Sequence, residues 1–317
     1  MDTTGTIFMP PESSTIAGEV DAAFYFIYWA SIVLFAIVVG FAALFVLKYR
    51  RKKRELTSGV AHNTKLEVAW TLIPTILIVI VFVMGFKGFI KMNVIPKDAL
   101  EIKVTGQKWF WTFDYPEGVN TVNELVVPVD KAVALTMSSQ DVIHSFFVPN
   151  FRIKMDVLPN RYSMTWFEAT RPGVYDLFCT EFCGKGHSEM IGKVRVVNDR
   201  EYEEWLEEAA FGGEGMSLED YGAKLYVSKA CVTCHSIDGR IGTGPTFAKV
   251  YGHSVRLADG REVMADENYI RKSILEPASE VVAGFQSVMP TYQGILKDRE
   301  IDALVAFIKS LKDKEGP

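Results

Sequence analysis

Cys179-Thr180-Glu181-Phe182-Cys183-Gly184-Lys185-Gly186-His187-Ser188-Glu189-Met190 is the stretch from which the rest of the chain is read. It gathers two thiols, an imidazole and a thioether, all soft or borderline donors suited to copper. Gly184 and Gly186 let the backbone turn tightly enough for these donors to converge. One cysteine with histidine and methionine suggests a mononuclear blue-copper centre. Two cysteines at this spacing can instead place two thiolates as bridges between two copper ions. The set is one nitrogen short. His144, in Asp141-Val-Ile-His144-Ser-Phe-Phe-Val-Pro149, is the only other histidine between residues 99 and 198. It is assigned as the missing ligand, on a loop following a strand. Glu181, between the cysteines, can turn its carbonyl to the metal and its side chain outward. The stretch reads as an electron-transfer copper site.

Around it, residues 99–198 alternate in short β-type runs: Glu101–Val104, Asn123–Val127, Ala132–Thr136, Arg161–Trp166 and Gly192–Val197. Punctuated by Pro and Gly, they describe a β-sandwich or Greek-key barrel of about a hundred residues. The aromatic run Trp109-Phe110-Trp111-Thr-Phe113-Asp-Tyr115 alternates as a strand would, so half of it should be core and some rings should face outward. An outward indole near the copper site, Trp109 above all, is a candidate electron relay.

Downstream, Asp199–Ala210 is charged with helical tendency, and Phe211-Gly-Gly-Glu-Gly215 is a flexible break, so residues 199–216 are read as a linker. Residues 217–317 form a second external domain, opening on a helical pattern and closing on another. In the latter Ile301, Leu304, Val305, Ile308 and Leu311 share a face. Cys231-Val-Thr-Cys234-His235 is the attachment sequence for c-type haem. Two thiols one turn apart add to the vinyl groups, and the adjacent histidine is the axial ligand. Met289, before Pro290, is the best sixth ligand, ahead of Met216, Met264 and His253. The Pro245 carbonyl is placed to accept the His235 ring N–H and fix its orientation.

Upstream, residues 1–21 carry acidic residues and no basic ones. No cleavable signal is read there, so export depends on the membrane segments. Residues 22–47 are uncharged and long enough to span a bilayer, with Tyr25, Tyr28 and Trp29 as an interfacial belt. The basic cluster from Lys48 to Arg54 follows, then a second apolar run, residues 68–86, containing Pro74. Residues 22–98 are thus a transmembrane hairpin whose basic loop lies in the cytoplasm, with both termini and everything beyond it outside. Glu67, at the cytoplasmic rim, is either a helix-start carboxylate or a proton entrance. The mean hydropathy of +0.12 despite 23% charged residues agrees with apolar residues concentrated in a few segments. A net charge of −5 gives no reason to expect nucleic-acid binding. All four cysteines fall in ligand-like pairs, leaving none for a structural disulfide.

Cys179-x-Glu181-x-Cys183-x-x-x-His187-x-x-Met190 with His144 upstream resembles the binuclear CuA motif of cytochrome c oxidase subunit II, over residues 20–198. Leu66-Glu67-Val-Ala-Trp70-Thr-Leu-Ile-Pro74 resembles the start of that family's second helix, where the glutamate lies at the entrance of the K proton pathway. Gly106-Gln-Lys-Trp109-Phe-Trp111 resembles its aromatic segment, whose first tryptophan takes electrons from cytochrome c. Lys154-x-Asp156-x-x-Pro159-x-Arg161 is similar to the segment that meets subunit I. Residues 217–317 resemble a class I cytochrome c, as in the fused subunit II of caa-type bacterial oxidases.

The resemblance implies a multidomain membrane protein: a two-helix hairpin, an all-β cupredoxin Greek-key barrel and an all-α cytochrome c domain. It implies haem c and binuclear copper A. It also implies that the Glu181 carbonyl holds copper while its carboxylate holds a magnesium ion at the subunit I interface. The implied place is a bacterial inner membrane, both domains on the periplasmic side, beside subunits I and III. Gln107-Lys108 replaces the family's usual His-Gln, and Asn160 replaces the usual glycine before Arg161. The first makes the surface more basic and disfavours docking of a basic cytochrome c at Trp109, which fits a tethered haem taking over electron entry. The external donor is left as a cytochrome, a small copper protein or a quinol-oxidising complex. The alternatives are a CuA-containing nitric oxide reductase subunit and a membrane-anchored carrier without a catalytic partner. The intact copper set disfavours a quinol oxidase subunit, and the hairpin and haem domain disfavour nitrous oxide reductase.

Overall fold

The computed structural model of the chain describes residues 5–50, 59, 62–210 and 216–312. Arg51–Arg54 of the basic cluster and the glycine-rich break at 211–215 lie outside the described residues.

Two helices, α1 (Ala17–Lys48) and α2 (Thr64–Asn93), are 32 and 30 residues long and apolar enough to cross a membrane. Each exceeds the ~20 residues a bilayer requires. Apart from half-buried positions such as Leu77, Val81 and Met84, most of their apolar side chains are exposed, the pattern of a helix whose surroundings are lipid rather than water. The chain is membrane-anchored. Asn63 caps α2 by accepting from the Leu66 N–H. Pro74 sits inside the helix, which membrane helices tolerate.

The next residues form two five-stranded sheets packed face to face. The first runs β3 (Asn120–Val122), β2 (Phe110–Asp114), β1 (Leu100–Gln107), β5 (Ala132–Ser139), β8 (Ser163–Glu168). The second runs β4 (Glu124–Pro128), β10 (Ile191–Val197), β9 (Gly173–Cys179), β6 (His144–Val148), β7 (Ile153–Val157). Period-two burial drives the arrangement: in β1, Ile102 and Val104 face inward while Glu101 and Lys103 face solvent. Trp111, Phe113, Leu135, Phe146, Phe167 and Leu177 fill the space between the sheets. Tyr115, just past β2, crosses that space: its hydroxyl donates to the Val126 carbonyl at 3.0 Å and accepts from the Val126 N–H at 2.7 Å.

Two sequence expectations are corrected here. His144 is not on a loop; it opens β6, paired with Val157 of β7, because His144, Phe146 and Val148 share the inward face. The aromatic run, expected to turn some rings outward, turns none fully outward. Phe110, Trp111, Phe113 and Tyr115 are all buried and Trp109 is half-buried; Phe110 is covered by the C-terminal domain.

The hairpin is fastened to the sandwich. The N-terminal segment bridges Ser14 to Ala169 as an added edge. The Arg152 guanidinium donates to both carboxylate oxygens of Asp21 at 2.7 and 2.8 Å and to the Pro10 and Pro149 carbonyls. Trp166 donates to the Lys91 carbonyl at 3.1 Å, and packs with Ile16, Ala132 and Ala134.

Beyond β10, helix α3 (Asp199–Ala210) occupies the segment read above as linker. Tyr202 enters the sandwich core, and Trp205, Leu206 and Ala209 pack against it. The C-terminal domain holds α4 (Leu218–Ser228), a small hairpin of β11 (Ser254–Arg256) and β12 (Glu262–Met264), α5 (Glu267–Leu275) and α6 (Asp298–Ser310). The hairpin is an addition to the helical pattern expected. Helices α4 and α6 touch at Gly222, where a Cβ would fall 2.0 Å from the Ala303 carbonyl oxygen. Only glycine permits that approach.

Candidate metal centre and its neighbouring cavity

Strand β9 ends on Cys179 and β10 starts directly after Met190, with Ile191 paired to Phe178. The loop of residues 180–190 is therefore pinned at both ends by adjacent strands. On its other side β9 pairs with β6, Cys179 opposite Phe146, which brings His144 alongside.

Six donor groups converge there. The two sulfurs, Cys179 Sγ and Cys183 Sγ, are 3.8 Å apart, far from the ~2.05 Å of a disulfide. His144 Nδ1 lies 3.8 Å from Cys179 Sγ, and His187 Nδ1 lies 3.5 Å from Cys183 Sγ. The Glu181 carbonyl is 3.3 Å from Cys179 Sγ, and Met190 Sδ is 3.9 Å from Cys183 Sγ. The donor atoms of His144, Cys179 and Cys183, all buried, lie within 4.8 Å of one another. Two central sulfurs, an imidazole on each, a carbonyl on one side and a thioether on the other fit a pair of copper ions bridged by thiolates. The Glu181 side chain is exposed.

The two thiols differ. Burial disfavours the Cys179 thiolate, but its hydrogen bonds with His144 and the nearby backbone outweigh it and hold its pKa below the thiol range. Burial and the charge on Cys179 push Cys183 up.

One residue of the site escaped the sequence reading. Asp141 Oδ1 accepts from His144 Nε2 at 2.8 Å, and its other oxygen accepts from the Lys108 N–H at 2.8 Å. The signal available was its place three residues before the histidine. Trp109 follows Lys108; its Nε1–H donates to the Cys183 carbonyl at 3.2 Å. Its ring lies against the ligand loop so closely that a Cβ on Gly186 would fall 2.5 Å from it.

A cavity of about 450 Å³ lies in the C-terminal domain, the size of a cofactor pocket. Cys231, Cys234, His235, Pro245 and Met289 all line it. Both cysteines are free thiols, kept protonated by burial, which pushes Cys231 up to about 12. His235 Nδ1 is 2.7 Å from the Pro245 carbonyl, which can only accept, so Nδ1 carries the proton and Nε2 keeps its lone pair. Burial lowers the His235 pKa and keeps the ring neutral. Phe247 stacks on that ring at 4.4 Å. Two thiols, a neutral imidazole and a thioether in a mostly apolar cavity fit a covalently attached haem. His253 and Met264 are exposed and do not line the cavity. Lys108, Trp109, Phe110 and Glu189 of the sandwich do.

The other sequence candidates lie apart. Glu67 is in the first turn of α2, accepting from His62 at 2.8 Å and from the Asn63 N–H at 3.4 Å. Lys154 and Asp156 form an ion pair on β7 at 2.8 Å, and Asp156 also accepts from Ser145, beside His144, at 2.7 Å. Arg161 is exposed.

Three family models match the chain. Residues 2–87 match the transmembrane domain of cytochrome c oxidase subunit II, residues 118–197 its periplasmic domain, and residues 219–312 cytochrome c. A cytochrome c oxidase subunit 2 of Alkalihalophilus pseudofirmus is 34% identical over 307 residues, covering 90% of this chain and 86% of the relative. One from Cereibacter sphaeroides is 30% identical, covering 66% and 81%. One from Bacillus subtilis is 27% identical, covering 84% and 81%. The subunit II and cytochrome c domains point to copper A and haem c as the groups carried. A membrane hairpin, a sandwich with paired thiols and a helical domain with its attachment motif thus follow one another in the family's own order, and the chain belongs to the cytochrome c oxidase subunit II family, in a form with a C-terminal cytochrome c domain.

Proposed function

We propose that this chain is the electron-entry subunit of a terminal haem–copper oxidase. Electrons from an external donor enter at haem c, pass to the copper pair and go on to subunit I, where dioxygen is reduced to water with proton pumping. Both groups supply one-electron transfer when bound. His144, Cys179, Cys183, His187, Met190 and the Glu181 carbonyl hold copper. Cys231 and Cys234 would attach the haem, with His235 and Met289 as its ligands and the Pro245 carbonyl fixing the His235 ring. Trp109, between the cavity and the Cys183 carbonyl, is the relay between the two sites.

His144 and Cys179 sit on the paired strands β6 and β9, and the loop that carries the other ligands is pinned between β9 and β10, so the site is preorganised for rapid exchange. The exposed Glu181 carboxylate is offered to magnesium at the subunit I interface. Lys154, Asp156 and Arg161 belong to that interface. Exposed Phe182 and Tyr162, 77% and 75% accessible, support a partner there. Glu67, at the start of α2, is placed as the proton entrance. The basic residues from Lys48 support a cytoplasmic loop between α1 and α2, with both cofactor domains on the periplasmic side.

The convergence of six donors around two sulfurs 3.8 Å apart carries the reading. EPR and optical spectra of the purified chain should show one unpaired electron shared over two coppers, and a pyridine haemochrome assay should show c-type haem. A single-copper EPR signal, or no haem c, would sink it.

A further inference from the structure

Where the haem domain meets the sandwich, the contact is small and specific. Lys229, two residues before Cys231, is only 5% exposed. A buried ammonium is costly unless its donors are satisfied. Its Nζ donates to the Asn120 carbonyl of the sandwich at 3.1 Å, lies 3.5 Å from the Asn120 side-chain oxygen, and pairs with Glu300 of its own domain at 3.5 Å. The Lys229 carbonyl accepts from the Tyr292 hydroxyl at 2.9 Å. The Tyr292 ring in turn stacks on Phe110 of the sandwich, nearly parallel at 3° with centroids 6.2 Å apart. Ala230, next in the chain, packs with Phe110 and Val122 in a buried cluster of its own. These contacts hold the mouth of the cavity against Lys108, Trp109 and Phe110.

We propose that Lys229 and the Phe110–Tyr292 stack form a latch that docks the chain's own haem domain on the Lys108–Phe110 corner of the sandwich, in the pose used for electron exchange. Lys229 is a positioning residue, acting through Asn120. The occupant of the Trp109 surface is then the tethered domain, and an external donor meets the haem from another side. This rests on the relay reading above.

The test is intramolecular electron transfer in the purified oxidase, followed optically after photoreduction of haem c. Lys229→Met removes both polar partners but keeps the aliphatic stem; Phe110→Ala loosens the latch from the sandwich side and leaves the haem domain's sequence untouched. Both should slow transfer from haem c to the copper pair tenfold or more and make it depend on solvent viscosity, with haem c and copper spectra unchanged. Lys229→Arg should restore most of the rate. Unchanged, viscosity-independent rates in both variants would overturn the latch. So would a slow Lys229→Met that has lost haem while Phe110→Ala is normal, since Lys229 would then only support its own domain. Failure of the relay reading looks different: the unmodified oxidase itself would lack one of the two spectra or any transfer between them.

Discussion

His144 is fully buried, so both ring nitrogens need partners. Nδ1 faces Cys179 and Nε2 faces Asp141. Because the same carboxylate also accepts from the Lys108 N–H, it fixes the ring's tautomer and ties the copper site to the residue preceding Trp109. Burial raises the pKa of Asp141, yet the His144 contact and the Lys108 and Val142 N–H groups win and hold it below the carboxylate range. It stays charged at neutral pH. Asp141→Asn should weaken copper binding by about 10–100-fold, measured by competition with a chelator, while haem c content stays the same. The converging donors were legible because thiols, imidazoles and thioethers at close spacing have few other uses. Asp141 was not, since an aspartate three residues before a histidine looks like any turn aspartate until the fold closes the ring.

At the scale of elements, what the sequence obscured is tertiary cover. Alternation along a strand predicts which side chains share a face but not whether a second domain covers that face, so some rings of the 109–115 run were expected outside, whereas Phe110 is covered by the C-terminal domain. The glutamates of α3 read as a solvated linker, and only packing shows Tyr202 and Trp205 on the sandwich. Two elements make testable joints. Tyr115 pins β2 to β4 through both polar atoms of Val126. Tyr115→Phe should cost about 1–3 kcal/mol, the penalty for leaving buried groups unpaired. Burial also pushes this phenol far above its ordinary range. The folded state therefore keeps its proton while an unfolded tyrosine loses it near pH 10, so stability falls as pH rises past about 10. Melting curves from pH 8 to 11 should show that alkaline loss, and Tyr115→Phe should flatten it. The second joint is Arg152 with Asp21. Arg152→Ala leaves a buried carboxylate unpaired, a loss of about 3–5 kcal/mol, and limited proteolysis should then cut the segment before α1.

For the whole molecule the question is how far its parts stand alone. The sandwich and the C-terminal domain have separate hydrophobic cores, joined through the small cluster of Phe110, Val122 and Ala230. The cavity is not peripheral to the second core: Ile270, Ile274, Tyr292, Leu304 and Ile308 belong to that core and also line the cavity. Without an occupant, water reaches these core side chains through the mouth of the cavity, and burial worth about 25 cal/mol per Å² of apolar surface is lost. The haem-free domain should therefore not hold its fold. Replacing Cys231 and Cys234 together by serine in the full chain removes covalent attachment and tests this directly. Proteolysis should digest residues 216–312 rapidly, while copper EPR of the remaining chain keeps the signal of the paired site, because none of its ligands lies beyond Met190. A haem-free domain that resisted protease would mean that α4, α5 and α6 close over the cavity by themselves. Loss of the copper signal alongside haem would mean instead that the two cores fold as one unit.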